Sequence, residues 1–462
     1  MKPRTAWIAL GLALAVCAAA RLWLAAVDDG IFWPDEIFQS LEPAHKRAFG
    51  YALVPWEYAD GGRSWLLPML LTPLLRLGAA LGGGSPRAYL MLVRVVFVAL
   101  AVATAWGAWW LARRLRVAPK RAWVAAALFA LLPPAILLAP RAFSENAVAL
   151  PMVLAVALLC GEAPSRRAIV GAGLLLGFAT ILRVQNVVVC ATAVGWLLAR
   201  RQLRGAALLT AVLAACALAD GALDRATWGH WFQSAEVYWN ENIVRGRANM
   251  MGREPAGYYV TTLVTSSGAA GVLLLVLAAI GCVRARGVAA MAIVYLVTYS
   301  IVGHKELRYA SPAWPLLCAL AAVGVDVLAE VRPRLGVMAA AVAIAAALVG
   351  AARVPRLTFA DMGAAGGRAL VIDHGGAYNR VLLEAHARAD LCGLKLPTER
   401  TEAGGMSWLH RRVHVYGRQD APPASSHRYN YEIVFGRDGR PTLQALGFSD
   451  CASDFTYQWR GN

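Results

Sequence analysis

The chain has 462 residues, of which 59% are hydrophobic and 16% are charged, and its formal net charge is +17. This apolar balance excludes an ordinary soluble domain, whose surface needs more polar side chains. The apolar residues form runs of about 16–25, the length that crosses a hydrocarbon core of about 30 Å as a helix. The sequence therefore predicts an all-α polytopic membrane protein.

The first apolar run follows Lys2 and Arg4, as a signal peptide would, but it is long and contains Arg21. We therefore interpret it as a retained first helix. Marking the apolar runs along the chain predicts eleven membrane spans. They lie near residues 6–27, 88–112, 121–140, 143–160, 166–182, 185–199, 205–220, 258–282, 288–303, 309–328 and 335–352.

Basic residues are concentrated in every second connection between these spans. With a cytoplasmic N-terminus, all of these connections are cytoplasmic, as the positive-inside rule requires. The positive charge is thus a topology signal and does not indicate a nucleic-acid partner. The connections are RRLRVAPKR after residue 112, PSRR after 163, RRQLR at 200–204, RARG at 284–287 and VRPR at 331–334.

Residues 64–83 are apolar enough to span, but they contain Pro68, Pro73 and Arg76. A crossing here would move the arginine-rich connections outside, so we predict an interfacial or re-entrant helical segment. Eleven spans then leave the C-terminus extracytoplasmic, and twelve spans are the alternative.

The stretches densest in polar chemistry all fall on the predicted extracytoplasmic side. A transporter would place ionisable groups within its spans, near the bilayer midplane. Groups gathered above the helix ends favour instead an enzyme that acts on a lipid substrate at the interface; a transporter and an assembly subunit are the alternatives. The stretches are 28–87, RAFSEN at 141–146, RVQN at 183–186, 221–257, HKELRY at 304–309 and the chain after 352.

The first outer loop, 28–87, contains two adjacent acids, Asp35 and Glu36, after Pro34. Proline favours the first turn of a helix, and the apolar spacing that follows predicts an amphipathic helix to about Ala48. Acids in a first turn also complement the helix dipole without any catalytic role.

Several motifs in this order resemble the dolichyl-phosphate-mannose-dependent mannosyltransferases, which build glycosylphosphatidylinositol anchors and the lumenal part of the N-glycan precursor. The resemblance covers about residues 5–330, with Tyr309 in place of a phenylalanine, and implies a GT-C-like fold. The motifs are WPDEIFQSLEPAH, LVPWEYADGGRSWLLP, RAFSENAVA, LDRATWGHW, GREPAGYYV (without the family's first tyrosine) and HKELRY.

The resemblance implies an inverting transfer of mannose from a polyprenyl-phosphate donor to a lipid-linked glycan or another acceptor hydroxyl, and a GT-C enzyme that uses a different polyprenyl-phosphate sugar is the alternative. One carboxylate acts as general base, for which we favour Asp35 over Glu36. His304, Lys305 and Arg308 are assigned to the donor phosphate, with a snorkelling membrane anchor as the alternative. Glu306 either holds these cations or binds sugar.

Other outer residues are weaker candidates for substrate binding, because arginines and tryptophans are also common at membrane interfaces. No His/Cys cluster has zinc spacing, and no Walker loop is present. We expect no cofactor, although Asp35 and Glu36 together could hold a divalent cation. The weaker candidates are His45, Trp56, Glu57, Arg63, Arg141 and Arg183.

The chain divides by composition into a transmembrane catalytic domain, 1–352, and an extracytoplasmic α/β domain, 353–462. In the second domain GRALVIDHGGAYNRVLLEAHARADLCGLKL predicts strand, turn, helix and strand, and RVHVYG and YEIVFG predict further strands. Asp373 and His374 fall at a Gly-Gly turn, which accounts for them without a site. An oxidising compartment favours a disulfide between Cys392 and Cys451.

Overall fold

The computed structural model describes residues 3–399, 402–419 and 421–451, and most of them are helical. Helices form because apolar runs must satisfy their backbone hydrogen bonds internally where water is absent. The helices are α1 (Pro3–Val27), α2 (Glu42–Phe49), α3 (Trp56–Ala59), α4 (Leu66–Leu81), α5 (Pro86–Arg114), α6 (Pro119–Leu131), α7 (Pro133–Leu138), α8 (Ser144–Leu159), α9 (Arg166–Leu182), α10 (Val187–Ala199), α11 (Leu203–Trp228), α12 (Gln233–Trp239), α13 (Tyr258–Ser267), α14 (Ala269–Cys282), α15 (Arg286–Ile301), α16 (Trp314–Val331), α17 (Pro333–Ala352), α18 (Gly376–His386) and α19 (Met406–Leu409).

Within the described ranges, five helical segments are long and apolar enough to cross a membrane by length and composition alone. Several shorter apolar helices accompany them. One of these is α4, which covers most of the segment 64–83 that we predict to be interfacial or re-entrant. The predicted total of eleven spans stays a prediction. The five segments are Arg4–Val27, Pro86–Arg114, Leu203–Trp228, Leu307–Val331 and Pro333–Ala352.

Three predicted helices have different bounds in the structure. The run 121–140 is two helices, α6 and α7, because consecutive prolines interrupt it. The run 258–282 is also two helices, since Gly268 between them has φ of +60°, which favours glycine. Helix α11 continues to Trp228, so the prediction that a loop starts at 221 was wrong for its first eight residues.

The proline break after α6 explains a buried arginine in the first helix. The carbonyls of Phe129 and Ala130 would normally accept from the N–H groups four residues later, but those residues are Pro133 and Pro134, which have none. Arg21 supplies the missing donors, with 2.9 Å from Nη1 to the Ala130 oxygen and 3.1 Å from Nη2 to the Phe129 oxygen. Its side chain is fully buried.

Backbone contacts divide the chain into two compact units that interleave along the sequence. The first unit contains Met1–Leu24 and Val96–Ala369, and the second contains Ala25–Val95 and Leu370–Asn462, in each case as far as residues are described. The second unit thus combines the first outer loop with most of the C-terminal segment. The linear division into domains 1–352 and 353–462 stays a prediction.

The second unit contains a small sheet with strand order β2-β1-β3-β4. Strand β1 pairs in parallel with β2 and β3, whereas β3 and β4 are antiparallel. The predicted helix and the predicted strands at GLKL, RVHVYG and YEIVFG are present, but the described residues before the Gly-Gly turn form no extended strand. The strands are β1 (Gly393–Lys395), β2 (His414–Tyr416), β3 (Tyr431–Phe435) and β4 (Pro441–Ala445).

A disulfide joins Cys392, just before β1, to Cys451 near the end of the described chain, with their Cα atoms 5.6 Å apart. It closes the segment that contains all four strands. The remaining cysteines are free, in keeping with a role as small apolar side chains in helices.

Candidate active site

In the second unit, the predicted acidic helix is present and includes a π turn directly after Asp35 and Glu36. Residues Ile37–Leu41 are π-helical and lead directly into α2. Asp35 is only partly buried, whereas Glu36 is 8% exposed. Neighbouring residues on a helix point about 100° apart. The structure therefore leaves Asp35 as the more accessible of the two candidate bases.

An amide bridge joins two of the predicted site carboxylates. Gln39 Nε2 donates to Asp35 Oδ1 and, at 2.9 Å, to Glu57 Oε1. Gln39 stands four residues after Asp35, so the two share a helix face. Sequence reasoning missed Gln39, although this spacing was the signal that could have found it.

The other candidates of the first outer loop lie near this bridge in the sequence. Trp56 begins the short helix α3 and is partly exposed, as is Arg63. The hydroxyl of Tyr58, between them, donates to the carbonyl of Gln39 at 3.1 Å. This contact ties the Trp-Glu motif to the acidic segment.

His45, predicted to shape a substrate site, is fully buried and uses both ring nitrogens. Nδ1 lies 2.8 Å from the Tyr51 carbonyl, which can only accept, so Nδ1 carries the proton. Nε2 therefore accepts from His410 Nδ1 at 2.9 Å. Burial lowers the pKa of His45 to about 3 and that of His410 to about 4. This geometry favours a structural role for His45.

Glu42, one turn before His45, is also fully buried. Its two carboxyl oxygens accept from the backbone N–H groups of Ser407 at 2.5 Å and Leu53 at 2.6 Å. Burial raises the pKa of Glu42 to about 7, although these hydrogen bonds oppose the rise. The C-terminal segment thus holds the helix that follows Asp35 and Glu36.

The same segment also holds the chain before those acids. Asp28 accepts from the N–H of Asp373 at 2.9 Å, and the side-chain amide of Asn379 donates to the carbonyl of Asp29 at 2.6 Å. Asp373 forms a two-point ion pair with Arg380 at 2.8 Å, so it serves the structure of the turn. Three arginines lie within 3.2–3.4 Å of the Asp29 carboxylate: Arg87, Arg94 and Arg380.

In the first unit, a buried carboxylate joins two of the predicted cations. Glu145 Oε1 lies 2.9 Å from Arg183 Nη1 and 3.1 Å from Arg308 Nη1. All three side chains are nearly or fully buried. Glu145 was missed in the sequence, where it stands inside RAFSEN but apart from both arginines. Arg141, at the turn before α8, is also buried.

Glu306 completes this cluster from within HKELRY. Its carboxylate lies 2.5 Å from Arg308 Nε and 3.1 Å from His304 Nε2. Burial alone would raise the pKa of Glu306, but Arg308 and His304 outweigh it and leave the pKa lowered. The hydrogen bond to Glu306 in turn raises the pKa of His304. Glu306 therefore holds two of the predicted phosphate ligands.

Lys305 has a different environment from the arginines. It is 4% exposed, and its Nζ donates to the carbonyls of Glu254 at 2.7 Å and Gly303 at 3.4 Å. No carboxylate among the described residues forms an ion pair with it. Burial lowers its pKa. Two carboxylates, Glu145 and Glu306, hold the arginines of this cluster, whereas the carboxylate of Glu254 opposes the lowering of the Lys305 pKa from a greater distance.

An apolar groove, the α10–α15 groove, runs between those two helices. Arg183 lies just before α10, and its Nε donates to the hydroxyl of Tyr299 on α15 at 3.0 Å. Thr298, the residue before Tyr299 in α15, lines the groove. The lining residues are Val188, Ala191, Thr192, Gly195, Trp196, Ala199, Ala290, Val294 and Thr298.

In the part of the chain that the structure describes, no group of three or more His, Cys, Asp or Glu side chains could hold a metal ion. Asp35 and Glu36, the pair that could hold a divalent cation, have different exposures.

Comparison with curated proteins identifies eukaryotic mannosyltransferases as relatives. GPI mannosyltransferase 3 of Yarrowia lipolytica is 29% identical over 321 residues, which cover 67% of this chain and 61% of that protein. GPI mannosyltransferase 3 of Drosophila melanogaster is 40% identical over 78 residues, 17% of this chain and 14% of that protein. These matches span less than two thirds of the length of the relatives.

Comparison with solved structures shows the fold. ArnT from Cupriavidus metallidurans in the apo state has a TM-score of 0.61 at 15% identity, covering 90% of this chain and 87% of that chain. The archaeal oligosaccharyltransferase AglB from Archaeoglobus fulgidus, in complex with an inhibitory peptide and a dolichol-phosphate, has a TM-score of 0.57 at 12% identity, covering 93% and 69%. These likenesses confirm the predicted GT-C-like fold.

The family model described as the Alg9-like mannosyltransferase family matches residues 12–360. The match includes the acidic motif at Asp35 and the HKELRY motif, the two stretches on which the resemblance in the sequence mainly rested. The predicted resemblance to these glycosyltransferases is confirmed. Both motifs lie in the shared region, which is well over half of the sequence, and the chain belongs to the Alg9-like mannosyltransferase family.

Proposed function

We propose that this protein is an inverting mannosyltransferase that uses a polyprenyl-phosphate-linked donor on the extracytoplasmic face of a membrane. The observation that carries the proposal is the environment of Lys305. No carboxylate among the described residues lies within ion-pair distance of Lys305, and Glu254 acts on it only from farther away, so a closer anion would offset the cost of burying this cation. Its carbonyl contacts orient the ammonium group but do not neutralise it. A donor phosphate supplies the missing charge.

The rest of the cluster suits a phosphate that belongs to a lipid. Arg183 and Arg308 are fixed by Glu145, so their positions are set before substrate arrives. The α10–α15 groove is lined almost entirely by apolar atoms, and its two helices are the one that follows Arg183 in the chain and the one that contains its partner Tyr299. A head group at the cations and an isoprenoid chain in the groove would match this amphipathic arrangement.

The chemistry follows from the leaving group. Charge develops on the donor phosphate as the bond to the sugar breaks, and preorganised cations stabilise that charge. The acceptor hydroxyl loses its proton to one carboxylate, for which we propose Asp35. Inversion needs no second acid, because a phosphate departs without protonation. The partial exposure of Asp35 supports this assignment over Glu36, and the hydrogen bond from Gln39 orients its carboxylate.

The relatives described above bear on the acceptor. Proteins called GPI mannosyltransferase 3 are similar to this chain over 321 residues in one case. We infer that the acceptor here is a lipid-linked glycan with a free sugar hydroxyl. The proposed side of the membrane rests on the basic connections, since the positive-inside rule predicts that HKELRY and the acidic motif lie opposite the cytoplasm.

The test is mannose transfer by the purified protein in lipid nanodiscs. Polyprenyl-phosphate-mannose labelled in the sugar is supplied, and release of polyprenyl phosphate and labelled product is measured. We expect Lys305→Met to reduce turnover strongly and Lys120→Met, which removes an exposed lysine in a basic connection, to leave it unchanged. Full activity in Lys305→Met would contradict the assignment of this lysine to the phosphate.

The base is tested by a matched pair of substitutions. Loss of a general base typically costs about 10²–10⁴ in rate, so Asp35→Asn should fall in that range. Glu36→Gln, the neighbouring change, should retain most activity. The opposite ranking would transfer the role of base to Glu36.

A further inference from the structure

Tyrosine side chains surround Arg183 in the first unit, and most of their hydroxyls have partners. The hydroxyl of Tyr299 accepts from Arg183 Nε at 3.0 Å. The hydroxyl of Tyr295 donates to the backbone carbonyl of Tyr309 at 3.0 Å. The hydroxyl of Tyr258 donates to a backbone carbonyl at 2.8 Å. Each of these hydrogen bonds offsets the burial of a polar group.

Tyr259 differs from these neighbours. Its side chain is 4% exposed, and its hydroxyl oxygen is inaccessible to solvent. Among the described residues, this hydroxyl has no hydrogen-bond partner. A buried polar group left unpaired costs free energy that a phenylalanine would avoid. Such a group calls for an explanation, and one explanation is a partner that arrives from outside the chain.

The position of Tyr259 indicates which partner that is. Its ring lies edge-on to the ring of Tyr299, with centroids 6.5 Å apart, so it is one ring away from Arg183. The chain before α13 is also tied to the HKELRY turn, because the N–H of Glu254 donates to the carbonyl of Gly303 at 3.0 Å. Lys305 Nζ donates to the carbonyl of Glu254 in return. Tyr259 therefore belongs to the cationic cluster.

We propose that the Tyr259 hydroxyl donates a hydrogen bond to a phosphate oxygen of the lipid-linked donor. The proposal rests on the proposed function and deepens it by adding a neutral donor to the cations. Because the hydroxyl is covered, the phosphate reaches it only when the side chains around Tyr259 rearrange. Phosphate binding and a rearrangement of this tyrosine cluster are then coupled.

The substitution Tyr259→Phe removes the hydroxyl and keeps the ring. Since that hydroxyl has no partner to lose, the thermal unfolding temperature should equal or exceed that of wild type. The dissociation constant for undecaprenyl phosphate should rise about tenfold to a hundredfold, as expected for a lost hydrogen bond to a charged group. In the matched control, Tyr295→Phe, a bond to a carbonyl is broken, and the unfolding temperature should fall.

Two results would overturn the proposal. One is a lower unfolding temperature in Tyr259→Phe, which would show that the hydroxyl is satisfied within the protein. The other is an affinity for undecaprenyl phosphate that is the same in Tyr259→Phe and in wild type. A wild-type protein that does not bind this lipid would overturn the proposal as well. Binding with the expected loss in Tyr259→Phe but without mannose transfer by wild type would refute the proposed function alone.

Discussion

The proline break after α6 provides a stability prediction about the membrane-embedded part of the protein. Arg21 donates to the carbonyls of Phe129 and Ala130, whose usual donors are missing because Pro133 and Pro134 follow. The substitution Arg21→Met keeps much of the unbranched stem but removes the guanidinium group. Both carbonyls then lose their donors inside the helical packing.

The size of the effect follows from these two contacts. Leaving a buried acceptor unsatisfied costs about 1–3 kcal/mol, so two carbonyls amount to about 2–6 kcal/mol. The removal of a buried, desolvated cation offsets part of that cost. We therefore expect a loss at the lower end, about 2–3 kcal/mol, which is a sizeable share of the 5–15 kcal/mol typical of a folded domain.

The assay is thermal unfolding in a fixed detergent, followed by the monodisperse fraction on size exclusion. Restoring backbone donors should lessen the need for Arg21, so Arg21→Met should cost less in a Pro133→Ala/Pro134→Ala background than alone. The reasoning is refuted if Arg21→Met unfolds at the same temperature as wild type, or if the substitution lowers the unfolding temperature equally with and without the two prolines.

Further predictions concern the second unit and the groove. Glu42→Gln should lower the unfolding temperature, because an amide –NH₂ cannot accept a hydrogen bond from a backbone N–H. The expected loss in the free energy of unfolding, measured by chemical denaturation, is about 1–3 kcal/mol. An unchanged free energy would contradict these two hydrogen bonds. The pKa values of His45 and His410 in the folded protein lie below the unfolded value, so both histidines bind protons on unfolding. The free energy of unfolding therefore falls as pH drops from about 6.5 toward 3, by up to about 1.4 kcal/mol per pH unit for each histidine. The pKa of Glu42 lies above its unfolded value, so the contribution of Glu42 to stability falls as pH rises from about 4.5 to 7. The free energy of unfolding measured across pH should therefore reach a maximum near pH 6.5. In Glu42→Gln the decrease above that pH should be absent. Gly195→Leu, which fills the groove, should raise KM for a long-chain donor but not for a water-soluble short-chain donor. The control Val297→Leu, on the exposed side of α15, should change neither KM. An equal effect of Gly195→Leu on both donors would exclude the groove as the binding site of the isoprenoid chain.

The α10–α15 groove and the cation cluster differ in how visible they are in the sequence. HKELRY stands out because charged residues are rare between apolar runs, and the acidic motif stands out after Pro34. Helical spacing also relates Asp35 to Gln39, since side chains four apart share a face. The groove residues, by contrast, read as ordinary apolar helix, and only the packing of α10 against α15 leaves space between them.

The sequence by itself determined the membrane class, the sidedness expected from basic connections, the family and the main motifs, because run length, charge and local spacing are properties of neighbouring residues. The tertiary structure alone decided the partners of those motifs. Glu145 joins Arg183 to Arg308, and His45 meets His410 across 365 positions. Hydrogen bonds and ion pairs depend on distances of about 3 Å in space, and the period of a helix carries no information about such distant pairs.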